Sequence, residues 1–345
     1  MTGLAYGAWL VARQEFRIRL RTGRWRWLLA GWVALVGAFT LLVDLALTTG
    51  YGYDTDTSRR GVPVFGILMF FVLAMVMVIS PALTSQTVNG DRERGTLATL
   101  QVTLLRPAEI AVGKLLAGWG VGLVMLALTL PFTGYAILRG GLTVDRIAAV
   151  YAVVALLIGG VCAVSQALSA LLARSITSAL LSYLAVFALT VGTLIAFVLA
   201  SALVTTKHTY ANTDSNESYT VDENRPDLVW WLLAPNPFVV LADSTPRVPP
   251  RFSTEGDTVE VDQYDILSAV GNEVRAIRRP PEYRYAYAYS YTSTGEVIQP
   301  ERIQDKPIWP WGLGFDLLAG AGALAITIRR LRTPTRKLGR GVRIA

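Results

Sequence analysis

Residues 91–114, DRERGTLATLQVTLLRPAEIAVGK, form a charged island between two long apolar runs. Asp91, Arg92, Glu93 and Arg94 alternate in sign where the first run ends. Gly95 and Thr96 then break and restart the chain, because Gly accepts C-cap geometry and Thr serves as an N-cap. From Leu97 the apolar residues recur at Leu100, Leu104 and Leu105, with Thr99, Gln101 and Thr103 between them, which is one face of a short helix. Pro107 ends that pattern. The expected product is a short amphipathic helix just outside a membrane, placed to pass force from a soluble partner to the spans on either side. The same residues are also satisfied by an ordinary solvated loop whose charges only set topology.

Composition settles the surroundings of the island. Of 345 residues 52% are hydrophobic and only 17% charged, too apolar for a soluble protein with one ordinary core. Six runs are long enough to cross about 30 Å of hydrocarbon as helices: 27–47, 62–83, 115–138, 147–173, 176–205 and 308–328. The expected fold is therefore an all-α polytopic membrane protein with six transmembrane helices. The fourth and fifth runs are parted by little more than Arg174 and Ser175, so a tight antiparallel pair is expected there.

The net charge of +7 is unevenly spread. Residues 207–306 hold 10 basic and 16 acidic groups, leaving 22 basic against 9 acidic elsewhere. Such asymmetry reads as membrane sidedness and not as a nucleic-acid surface. Among the short flanks, the side with the N-terminus, the island, Arg174 and the C-terminus carries 18 Lys and Arg, and the other carries Arg59, Arg60, Arg139 and Arg146. By the positive-inside rule both termini and the island are cytosolic, and residues 207–307 are external.

At the N-terminus (1–26), Arg13, Arg17, Arg21 and Arg24 run beside a stripe of Trp9, Phe16 and Leu20, which suits an amphipathic helix in the headgroup region; a basic tail that only fixes orientation fits as well. A cleaved signal peptide is not expected, since the basic region is long and the first run is of full span length. The external segment 207–307 reads as a small mixed α/β domain between the fifth and sixth helices. In it, Trp230, Trp231 and the Pro235-Asn236-Pro237-Phe238 turn suit the outer interface. Asp265 is positioned to cap a helix carrying Ile266, Leu267, Val270, Val274 and Ile277 on one face. Tyr283, Tyr285, Tyr287, Tyr289 and Tyr291 alternate as on a strand. The tail 329–345 has seven basic and no acidic residues, a composition that also suits anionic lipid headgroups.

Several features are open to more than one reading. Gly118 and Gly122 form a GxxxG, which serves packing within the chain as readily as a dimer seam; Gly159, Gly160, Gly312, Gly314, Gly320 and Gly322 also allow close approach. Pro81 and Pro131 are expected to bend their helices near the ends. Asp44 and Asp316 are acids inside spans, near enough to the outer interface to reach water or pair with an external Arg. One Cys, Cys162, excludes an internal disulfide, and the single His208 excludes a His-rich site. No span carries a file of acids and His for proton relay. No phosphate loop and no nucleophile with a matching base is present, so the chain is not expected to be an enzyme or to hydrolyse ATP, and it needs no cofactor of its own.

In Glu93-Arg94-Gly95-Thr96-Leu97, the Leu-rich turn, Pro107 and Gly113-Lys114, the island resembles the loop after the second span in the ATP-binding-cassette (ABC) type-2 transporter permease family, the membrane subunits of one class of ABC exporter. Where that family often has an acid soon after Gly-Thr-Leu, Ala98 and Thr99 stand here. The resemblance implies a permease that moves a hydrophobic or amphipathic substrate across the cytoplasmic membrane. It further implies separate ATP-binding subunits, which hold ATP and Mg, and a second permease copy or related permease. It assigns ATPase coupling to loop 88–114 and the N-terminal helix: Glu93 and Arg94 (with Asp91 and Arg92) as polar contacts, Gly95 and Thr96 as the shaping break, Leu97, Leu100 and Leu104 as the buried face, and Arg13 and Arg17 as helix contacts. The competing readings are a membrane scaffold or sensor acting through its external domain and, with less in its favour, a membrane-embedded enzyme.

Overall fold

In the structure, a computed structural model, residues 3–21, 23–49, 59–97, 105–211, 218–247, 252–255, 258–261, 265–279 and 306–332 are described. Among them six helices are long and apolar enough to cross a membrane: Trp25–Thr49, Gly61–Glu93, Pro107–Leu138, Val144–Leu171, Ser175–Leu203 and Trp309–Leu331. They match the six runs in number and order. The third begins at Pro107 and not at Leu115, because Pro107 stands in the first turn of the helix, where its missing N–H is not needed. The chain divides into two units, Met1–Val186 with Pro249–Asp265 and Phe315–Ala345, and Phe187–Val248 with Ile266–Gly314.

The first unit opens with α1 (Leu4–Arg21) and α2 (Gly23–Thr49), followed by α3 (Gly61–Thr84) and the short α4 (Asn89–Glu93). Then come α5 (Pro107–Ala127), α6 (Leu130–Leu138), α7 (Val144–Leu171) and α8 (Ser175–Phe187). Helix α3 is its centre: Val64, Phe65, Leu68, Met69, Val72 and Leu73 are fully buried, and α2, α5, α6 and α7 pack around it. Without water, indole N–H groups need protein acceptors. Trp32 accordingly donates to the Met125 carbonyl at 2.9 Å, and Trp119 to that of Ala155 at 2.8 Å.

Several of the glycines serve packing within the chain, whereas a Cβ on Gly314 or Gly322, also expected at close approaches, would meet nothing within 4 Å among the described residues. A Cβ on Gly118 would meet Thr84 of α3, one on Gly122 would meet Ile158 of α7, and one on Gly320 of the last span would lie 3.3 Å from the Gly160 Cα. Pro131 does more than bend its span. With no N–H to bond the Ala127 carbonyl, it splits the span into α5 and α6, and the hydroxyls of Thr129 and Thr133 both bond that of Tyr151.

The expected α7–α8 pair is corrected. A short link does turn the chain, but α7 packs on α3 and α5, while α8 is anchored by Ser178 Oγ donating to the Ser85 carbonyl at 2.8 Å. No residue in the most apolar stretch of the fifth span is buried, against 56% for the span centred on α3.

Of the two intramembrane acids, Asp44 accepts from Arg139 at 2.6 Å and from the Tyr135 hydroxyl at 2.7 Å. The Tyr135 hydroxyl, then the Asp44 charge, hold the Arg139 guanidinium above its already high ordinary pKa. Asp316 is buried, and its Oδ2 has no hydrogen-bond partner among the described residues. Arg146, counted above as a loop charge, is fully buried and paired with Asp265. The hairpin of β3 (Phe252–Glu255) and β4 (Thr258–Val261) also belongs to this unit.

In the second unit, α9 (Thr193–Leu203) leads into the antiparallel hairpin β1 (Thr205–Ala211) and β2 (Ser218–Asn224), and α10 (Pro237–Ser244) and α11 (Ile266–Ala276) pack on each other. Before α9, residues Ala188–Gly192 form one π-helical turn, a register that leaves carbonyls off the regular ladder. Asn236 meets it. Its Nδ2 donates to the Thr190 carbonyl at 2.6 Å and to Thr193 Oγ1 at 2.9 Å, while its Oδ1 accepts from Phe238 N at 2.9 Å and caps α10.

Val270 and Val274 of α11, and Ile277 just past its end, face a common core with Leu233, Ala234, Val239 and Ile308; Leu267 is fully buried and Ile266 is exposed. Trp230 packs at this core under Arg278, whose guanidinium lies 4.2 Å from its ring, and Trp231 is exposed. The final helix, α12 (Trp309–Leu331), starts here: buried Asp243 accepts from Ile308 N at 2.6 Å and Trp309 N at 2.7 Å, and its other oxygen pairs with Arg275. The tyrosine strand at 283–291 lies outside the described residues, as does the tail beyond Arg332.

Candidate coupling site

The island is built from the end of α3 onward. Helix α4 stops at Gly95, whose φ of +73° is the left-handed conformation that glycine adopts without strain. Glu93, Arg94, Gly95 and Thr96 are exposed, and Leu97 is 2% exposed. Leu97 sits in a cluster with Val88, Ile110, Ala111, Ala170 and Leu331, with Leu105 and Ile328 at its edge. The cluster draws on the island, α5, α7 and α12, so a polar turn is mounted on an apolar plug shared by three spans. Leu100 and Leu104 lie outside the described residues, and with them most of the expected short helix.

Polar bonds fix the base of that turn. Ser169 Oγ of α7 accepts from the backbone N–H groups of Val88 and Asn89, each at 3.1 Å. Arg92 donates to Asn89 Oδ1 at 3.2 Å and to the Leu172 carbonyl at 3.3 Å, and Gln166 Nε2 donates to the Ala111 carbonyl at 2.9 Å. Thr96 Oγ1 donates to Asp91 Oδ1 at 3.1 Å, and exposed Glu93 accepts from Ser175 N at 3.3 Å. Arg94 is exposed, with its guanidinium folded back over Gly90. Asp91 and Arg92 are thus engaged inside the chain, and Glu93 and Arg94 present themselves outward.

Helix α1 packs along α5, next to the island. Its buried face is Ala8, Val11 and Ala12, small residues that let the helices approach until a Cβ on Gly113 would lie 2.6 Å from the Val11 Cβ. Phe16 lies on Gly120, while Trp9, Arg13 and Arg17 stay exposed on other faces. The buried face was not legible in the pattern, where Trp9 and Phe16 drew attention and the alanines did not.

Sequence reasoning also missed the ionic centre of this region. Lys114, about two turns into α5 and 1% exposed, donates to Glu15 of α1 at 2.8 Å and pairs with Asp91 of α4. Glu109, likewise 1% exposed, accepts from Arg106 N at 2.8 Å and faces Gly7 of α1. Lys114 read as a flanking charge, and its partners are 99 and 23 residues away, beyond any local spacing. The one available hint was two ionisable residues inside an otherwise apolar helix.

The profile of the family described as ABC-2 family transporter protein matches residues 46–240, more than half of the chain, taking in the second to fifth spans and the whole island. No curated protein matches the chain. Six apolar spans in the expected order, a polar turn mounted on a plug shared by several of them, and this match agree, and the chain belongs to the ABC-2 transporter family as a multi-pass membrane transport permease.

Proposed function

We propose that this permease is the membrane-spanning subunit of an exporter that moves a hydrophobic or amphipathic substrate across the cytoplasmic membrane, driven by ATP hydrolysis in separate ABC subunits. Membership of the family supports a partner of that kind. Two permease copies, or one copy and a related permease, enclose the path; Lys and Arg in the short flanks orient both termini and the island toward the cytosol. Helix α1 then lies at the inner interface with Arg13 and Arg17 toward headgroups or the ATPase, residues 207–307 face outward, and ATP and Mg stay in the partner.

The observation that carries this reading is the contrast within the island: Glu93 to Thr96 are exposed, and the next residue, Leu97, is buried against three spans. A partner pressing on the turn therefore displaces α5, α7 and α12 together. The test is a pull-down in mild detergent from the native membrane, comparing wild type with Glu93→Ala, Arg94→Ala. Recovery of a phosphate-loop ATPase with wild type and its loss with the variant supports both partner and contact. Absence of any ATPase from wild type, with the spans still folded, turns attention to a scaffold or sensor acting through residues 207–307.

A further inference from the structure

Three separate elements converge on one buried ammonium group. Lys114 of α5 is 1% exposed and holds Glu15 of α1 and Asp91 of α4, whose side chains are 23% and 17% exposed. Asp91 also accepts from Thr96 in the exposed turn, so the chain of bonds runs from turn to acid to Lys114 to α1. An ammonium withdrawn from water is stable only while its partners stay in reach, which makes separation of α1 from the island costly. The backbone beside it is equally tight, with Gly113 against Val11 and the Ala8 carbonyl.

We infer that Lys114 is the joint that makes the N-terminal helix and the coupling turn a single moving body, so that a push on either one is delivered to α5. Lys114 acts as a positioning residue, through Glu15 and Asp91, and touches neither nucleotide nor substrate. The inference rests on the proposed function for what does the pushing, and on the geometry alone for the joint. It assigns the ionic link a role beyond neutralising charge: a set of neutral residues that fills the same space keeps the fold and loses the transmission.

The experiment uses the full chain in nanodiscs, with Cys162→Ala and spin labels at Gln14→Cys and Arg94→Cys, both exposed positions. With Lys114 present, the label distance is expected to have one narrow distribution. In the triple variant Glu15→Gln, Asp91→Asn, Lys114→Met, which leaves no bare buried charge, it is expected to broaden while the protein stays monodisperse. An unchanged narrow distribution in the triple variant overturns the joint.

A second measurement uses the permease with its ATPase, native at Arg94 and labelled at Gln14→Cys and Leu138→Cys. ATP with vanadate is expected to shift the wild-type distance. In the triple variant the shifted fraction falls about fivefold or more, the lower end of ordinary allosteric couplings. A full shift in the triple variant counts against transmission through Lys114. If wild type holds no ATPase, the proposed function fails, and the nanodisc distances still decide the joint.

Discussion

Two buried charges organise this chain in opposite ways. Lys114 in the first unit is a flexible cation held by two part-exposed carboxylates from other elements, whereas Asp243 in the second unit is a carboxylate fixed by two backbone N–H groups and Arg275. The acids around Lys114 are side chains that can swing with their helices. The donors around Asp243 are mostly backbone at the start of α12, where the helix dipole also favours an anion. The first arrangement suits a joint between elements that move, and the second suits a rivet that sets where the last span begins.

The sharpest way to break the contrast is Asp243→Ala. It removes the acid that pairs with the part-buried Arg275 guanidinium and strands two helix-terminal N–H groups at once, so a loss of about 3 kcal/mol is expected in detergent unfolding. Asp243→Asn keeps an acceptor and should lose less. If Asp243→Ala unfolds like wild type, Asp243 is no rivet.

Next in size is Gly113→Val, which forces atoms into the Val11 and Ala8 contact without touching a charge. Overpacking of this kind costs about 1–3 kcal/mol, and its effect on transmission separates close helix packing from the Lys114 link. An unaltered α1 position, read from spin-label distances, would show that the approach at Gly113 is not what holds the helix.

Asn236→Ala removes a helix cap and the donor that fills the π-turn at Thr190. A loss of about 1–2 kcal/mol is expected from the cap alone, with faster amide exchange in residues 188–193 marking the freed turn. Smallest is Glu93→Ala with Arg94→Ala. Both side chains are exposed, so stability should move by no more than about 0.5 kcal/mol while ATPase recovery drops. A large loss of stability would make the turn structural and void the pull-down as evidence of contact.

Parts of the candidate site were legible in advance for identifiable reasons. The exposed Glu93-Arg94-Gly95-Thr96 turn and the burial of Leu97 follow from local rules, sign alternation, a glycine stop and the first residue of an apolar face. The α11 face was legible by the same periodicity. Trp9 misdirected the reading of α1, because size suggests burial while close helix packing selects alanine and glycine. Arg146 was counted as a loop charge because its partner, Asp265, is 119 residues distant.

What the sequence determined by itself is the membrane class, six spans in order and the position of the island. Those depend on runs of apolar residues and on breaks by Gly and Pro, which act over one helix at a time. Only the tertiary structure decided which face of α1 is buried, that Pro131 splits its span, that α8 is anchored by Ser178 instead of packing along α7, and that Lys114 and Asp243 are nodes. Each of these is a pairing between segments distant in the chain, set by which helices approach closely enough to exclude water, and no local pattern encodes that choice.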